Sequence, residues 1–178
     1  MDINKMKLVI LACLIPILLA ELEIKSKNCN SEWKLIRKMA CFEAKNEHPA
    51  LVPINTKGWL SKIKLGNANG VLKCSLQSTG SKFGCYSNGT FLNIYITDNK
   101  RKLIFPSANQ KLTYGSKAYK LPGFSANDTE VTFSNLDYPV PYLIEEQFIQ
   151  IWNGEDLFDY TEADNSGKVC VDVYGIFL

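Results

Sequence analysis

Phe91-Leu92-Asn93-Ile94-Tyr95-Ile96-Thr97, Asp98-Asn99-Lys100, Arg101-Lys102-Leu103-Ile104-Phe105, then Pro106, is the stretch whose reading decides the fold class. β-Branched and aromatic side chains suit a pleated, half-buried surface, and a short polar turn between two such runs makes a hairpin that Pro106 stops. Working outward, the same pattern recurs. Trp59–Leu65 reads as a strand, Asn67–Gly70 as a turn, and Val71–Leu76 as its return. Val131-Thr132-Phe133 and Phe148–Trp152 alternate, and Val169-Cys170-Val171-Asp172-Val173-Tyr174 gives a strong strand signal close to the last residue. Ser31–Lys45 fits a helical stripe (Trp33, Ile36, Ala40) or a strand face (Trp33, Leu35, Met39, Cys41). The strand is preferred because the rest of the chain is β. Ser78–Ser81, Ser87–Gly89, Asn153-Gly154 and Asn165-Ser166-Gly167 supply turn chemistry between the pieces. Short strands so spaced predict an all-β antiparallel sandwich, jelly-roll-like.

The first twenty residues have a different logic. Lys5 and Lys7 precede Leu8–Ala20, a 13-residue apolar run. That length suits a signal-peptide core and falls short of the ~20 residues a spanning helix needs. Cleavage is expected after Ala20, although Leu18 is larger than is usual three residues before a cut. This leaves residues 21–178 as a single secreted domain. Its composition, 46% hydrophobic overall, is that of a globular chain rather than a disordered one.

Cys13 leaves with the leader, and Cys29, Cys41, Cys74, Cys85 and Cys170 remain. Most should pair in an oxidising compartment. Spacing alone does not fix the connectivity. The pairing expected is Cys74–Cys85, closing a hairpin, and Cys41–Cys170, tying the chain ends. Cys29 is then free for a bond to a second copy, a homodimer. Asn88-Gly89-Thr90 and Asn127-Asp128-Thr129 are acceptor tripeptides for N-glycosylation in turn-like segments.

Charge divides along the chain. Residues 21–120 carry 17 bases against 6 acids, net +11, and residues 121–178 carry 1 base against 11 acids, net −10. Interleaved strands would mix these charges over one surface. Segregated, the basic half would suit polyanions and the acidic half a cation. The bases are scattered, with only Lys100-Arg101-Lys102 clustered, and no basic run is interleaved with stacking aromatics. Nucleic acid is therefore not an expected partner. The acids are denser: Glu155, Asp156, Asp159, Glu162 and Asp164 lie within one short segment containing no base. Crowded carboxylates repel one another unless a cation intervenes, and calcium takes six to eight oxygens. These five residues are the candidate calcium ligands; the spacing is not that of an EF-hand.

The only histidine, His48, stands beside Glu47 and Pro49, and no nucleophile motif such as Gly-x-Ser-x-Gly occurs. A catalytic centre is not expected, and Cys-x-x-Cys spacing for zinc is missing. Trp59, Trp152, Tyr86, Tyr138, Tyr142 and Tyr160 stand near turns or prolines, where aromatic faces beside carboxylates would suit sugar stacking. Secretion, sandwich, acidic loop and aromatics together make the chain similar, at the level of fold, to lectin and adhesion jelly rolls. A likeness of fold does not carry function; the aromatics beside carboxylates are what point to a module binding an extracellular glycan or glycoprotein. A small hydrolase using paired carboxylates, or a secreted toxin or defence factor, is the alternative.

Overall fold

The computed structural model describes residues 32–85, 89–107, 112–113, 117–134, 142–143 and 147–178. The expected leader, Cys29, Asn88, Tyr86 and Tyr138 lie outside the described residues. Glu32–Phe177 form one compact unit. It is a disulfide-bonded antiparallel β-sandwich.

One sheet runs β1 (Lys34–Glu43), β11 (Ser166–Phe177), β3 (Gly58–Lys73), β8 (Val131–Ser134), with β9 (Tyr142–Leu143) also pairing β3. The other runs β2 (Ala50–Pro53), β10 (Phe148–Asn153), β4 (Ile94–Asp98), β5 (Leu103–Phe105). A ribbon of β6 (Leu112–Thr113) and β7 (Ala118–Tyr119) completes the strands among the described residues. The sequence halves interleave: β11 lies between β1 and β3, and β10 between β2 and β4. The positive and negative halves therefore share both sheets.

Period-two burial explains the frame. Val169, Val171 and Val173 of β11 are buried, while Cys170, Asp172 and Tyr174 face outward. Across the sandwich Ile94, Ile96, Ile149 and Ile151 close the same core. In β1 the strand reading holds, but its inward residues are Ala40 and Phe42, followed by Ala44. The face carrying Trp33, Leu35 and Met39 is exposed.

The turn expected at Asn67–Gly70 does not form. β3 continues through it for 16 residues. Cys170 pairs with Asn69 and Asp172 with Gly66, so β3 spends one more residue than β11 over this interval, a β-bulge. Asn67 takes the left-handed conformation (φ 52°), and its Nδ2 donates to Asp172 Oδ2 at 2.9 Å. Residues that favour turns are used here to bend a strand whose ladder is already committed on both sides.

Cys41 is joined to Cys170 and Cys74 to Cys85. The first bond links directly paired residues of β1 and β11 and closes a separation of 129 residues. The second closes an 11-residue separation just beyond β3.

Candidate functional site: an acidic corner

β10 ends at Asn153, and the chain turns sharply into a short helical turn, α1 (Gly154–Leu157). Asn153 caps it, its side chain accepting from the Glu155 N–H at 3.0 Å. Gly154 is required at the corner because it packs against β4. A Cβ there would come within 1.9 Å of Asn93 Oδ1 and 2.6 Å of the Tyr95 ring. That close approach pushes the next two residues inward, so Glu155 and Asp156 are buried, 4% and 3% exposed.

The five candidate calcium ligands do not converge on one point. Asp156 and Glu162 meet, Glu162 lying in a single 3-10 turn (Glu162–Asp164). The Glu162 carboxyl is pushed above its ordinary value by burial and by its contact with Asp156, and Asp159 adds repulsion. Asp156 Oδ1 accepts from the Glu47 N–H at 2.7 Å, and Glu162 accepts from the backbone N–H of Asn46. Both carboxylates thus hold the tight turn after β1, where Asn46 and Glu47 are left-handed (φ 66° and 54°). Lys45 Nζ reaches the carbonyl of Ala163 at 3.2 Å from the same turn. Asp156 Oδ2 and Glu162 Oε2 are buried without a hydrogen-bond donor. Two facing carboxylates need a proton or a cation between them.

Glu155 points elsewhere. Burial raises its carboxyl to about 7, opposed by an amide hydrogen bond from Asn165 and reinforced by the charge of Asp164. Asn165 is fully buried and also donates to the Ala44 carbonyl at 3.1 Å. Glu155 comes within 4.8 Å of both sulfurs of Cys74–Cys85. Among the described residues this is the one trio of ligand-type atoms so close together, and it is no metal centre, since the two sulfurs are bonded to each other. Asp159 and Asp164 are exposed.

The aromatic candidates separate as sharply. Trp152 is buried (1% exposed). Its Nε1 donates to Thr97 Oγ1 and Gln150 Oε1, and Arg101 covers the ring at 4.8 Å. It offers no face to a sugar. Trp59 and Tyr142 form an exposed edge-to-face pair on β3 and β9, 5.1 Å between centroids. Tyr160 is exposed, within the corner segment itself. Phe158, which the sequence reading passed over, is exposed beside it and rests edge-on against Tyr95 at 5.1 Å. The available signal was its place between Asp156 and Asp159, in a segment already marked for its acids.

Beyond the Asn46–His48 turn a groove of about 490 Å³ is lined by Glu43, Glu47, His48, Leu51, Arg101, Gln150 and Lys168, among others. His48 Nδ1 lies 3.0 Å from Glu43 Oε2, and Arg101 binds Glu47 at 3.0 Å. Glu47 belongs to both groove and corner. Of the two glycosylation candidates, Asn127 is exposed in a turn where its N–H donates to Ser125 Oγ at 3.2 Å.

Among the described residues no helix is long and apolar enough to cross a membrane. No protein-family model matches the chain, and no curated protein matches it. Among solved structures it is similar to AJLec from the sea anemone Anthopleura japonica, with a TM-score of 0.76 and 29% identity over 83% of this chain and 98% of that one. The sandwich is therefore lectin-like in fold.

Proposed function

We propose that this protein is an extracellular carbohydrate-binding protein whose glycan site is the acidic corner, with calcium bridging Asp156 and Glu162. The observation that carries the reading is the pair of buried, unpartnered oxygens, Asp156 Oδ2 and Glu162 Oε2, in a segment that also exposes Phe158 and Tyr160. A cation there would neutralise the facing carboxylates and order the segment that carries the exposed rings. The exposed rings would stack on the apolar face of the sugar. The likeness to AJLec, whose name abbreviates lectin, supports the carbohydrate class. The two disulfides fit secretion, since such bonds persist in oxidising compartments. Asp159 is a further candidate ligand from the same turn. Glu155, buried, and Asp164, exposed, stand apart from that pair.

The test is a glycan array on the disulfide-intact protein, in millimolar calcium and in chelator, repeated with Asp156→Asn and Glu162→Gln. Binding that needs calcium and is lost in both variants is expected. Binding indifferent to chelator and to both substitutions would remove the corner from the reading. A folded protein that retains no glycan in either condition would remove carbohydrate.

A further inference from the structure

We propose that Cys74–Cys85 is a thiol-exchange site, opened by an extracellular dithiol that attacks the sulfur of Cys74, while Cys41–Cys170 in the same molecule stays closed. The two bonds differ in what surrounds them. Cys41 and Cys170 face each other as a directly paired position of the β1–β11 ladder, both half-buried, with Cys41 also lining the groove beside His48. Cys74 lies past the end of β3 and is half-buried, whereas Cys85 is 1% exposed. Only one sulfur of this second pair is offered to a reagent.

The buried sulfur is prepared to leave. Two side-chain amides aim at Cys85 Sγ: Asn93 Nδ2 at 3.4 Å and Asn153 Nδ2 at 3.5 Å. The Asn153 amide is oriented by its other end, because its oxygen is committed to the Glu155 N–H. A disulfide sulfur is a weak acceptor and gains little from two donors; a thiolate gains far more. Exchange is faster when the leaving thiolate is better stabilised. Two things oppose the thiolate: the burial of Cys85, which disfavours a charge, and the Glu155 carboxyl within 4.8 Å of both sulfurs. Asn153 also joins this sulfur to the acidic corner, since it caps α1.

A thiolate of the dithiol attacks Cys74 Sγ, the Cys74–Cys85 bond breaks, and its electron pair departs on Cys85. The second thiol of the reagent then attacks the mixed disulfide and frees Cys74. The dithiol ends as a cyclic disulfide, and its two protons end on Cys74 and Cys85.

The folded protein is exposed to dilute dithiothreitol, quenched with an alkylating agent and mapped by mass spectrometry. Cys74 and Cys85 should be labelled at least about tenfold faster than Cys41 and Cys170. Glutathione, a monothiol, should be trapped on Cys74 and not on Cys85. Asn153→Ser keeps a capping oxygen and removes the amide donor, so exchange should slow by about threefold or more. Glu155→Gln should speed it. Equal opening rates for the two bonds, or glutathione found on Cys85, would overturn the proposal. Both of those readouts use the unaltered protein and do not depend on any variant folding.

Discussion

Ser166–Phe177 and the segment just before it, Asn153–Asn165, are neighbours in the chain held by opposite means. The strand buries Val169, Val171 and Val173 and satisfies its backbone through ladders to β1 and β3. The corner buries Asn153, Glu155, Asp156 and Asn165. It leaves oxygens of the last three without a protein partner. Apolar burial is indifferent to protons and cations, whereas buried carboxylates are not. The lesson is that stability and sensitivity to conditions should reside in different parts of one small sandwich, and each part can be perturbed separately.

The largest effect belongs to the frame. Leu65, fully buried on β3 opposite Val173, should cost about 3 kcal/mol when replaced by alanine, from lost transfer energy and the cavity left behind. Urea denaturation measures it, and the loss should be the same in calcium and in chelator. Dependence on calcium would mean that frame and corner do not act separately.

Calcium comes next. At about a hundredfold excess over Kd it should raise unfolding free energy by about 2.7 kcal/mol, in the unaltered protein and in Leu65→Ala alike. Asp156→Asn should abolish the increment. Thermal melts at matched ionic strength, with calorimetry, decide. Unchanged midpoints and no heat of binding would leave Asp156 and Glu162 as anchors for the Asn46–Glu47 turn alone.

In the metal-free protein, pH should act on the corner in a defined direction. The Glu155 carboxyl is raised in the folded state to about 7 from an ordinary 4.5, so the folded chain holds a proton that the unfolded chain has released. Its contribution is fully present below about 4.5 and is lost as pH rises through 7, a change of about 2 kcal/mol after neighbouring groups relax. Glu162, also raised, acts in the same sense. Glu43 and Asp172 are lowered by hydrogen bonds from His48 and Asn67, and their contribution is lost only in more acidic solution, as pH falls through their folded values. Between about pH 5 and 7.5, stability should therefore fall, and Glu155→Gln should make the slope shallower. A rising profile there would contradict the burial of Glu155.

The frame was legible because its residues report their own environment. Alternation in Val169–Tyr174 and the β-rich run from Ile94 to Phe105 mean much the same in any sandwich. The bulge at Asn67 was not, since Asn67–Gly70 carries turn chemistry, and only β11 alongside commits it to a ladder. The corner was half legible. Five acids in one segment announced unusual electrostatics, but spacing could not say which carboxylates go in. That depends on Gly154 meeting Asn93 and Tyr95, and on a turn at Asn46–Glu47 more than a hundred residues away. Trp152 failed as a recognition residue for a related reason. Beside a turn it looked available, but its register on β10 puts it under Arg101.

The smallest stability effect carries the sharpest functional contrast. Tyr160 is 39% exposed, and its backbone N–H donates to the Glu155 carbonyl at 2.9 Å, a bond that alanine keeps. Tyr160→Ala should therefore shift unfolding free energy by no more than about 0.5 kcal/mol, as surface substitutions do. The calcium increment should survive, because no carboxylate is touched. Glycan affinity should nonetheless fall at least about fivefold, through loss of a stacking face worth about 1 kcal/mol. The three measurements on this one variant separate the layers of the corner: fold, cation and sugar. If affinity is unchanged while Phe158→Ala lowers it, the sugar lies on the Tyr95 side of the turn. If neither ring matters, the corner is not the glycan site, and the exposed pair Trp59 and Tyr142 becomes the next surface to test by the same substitutions.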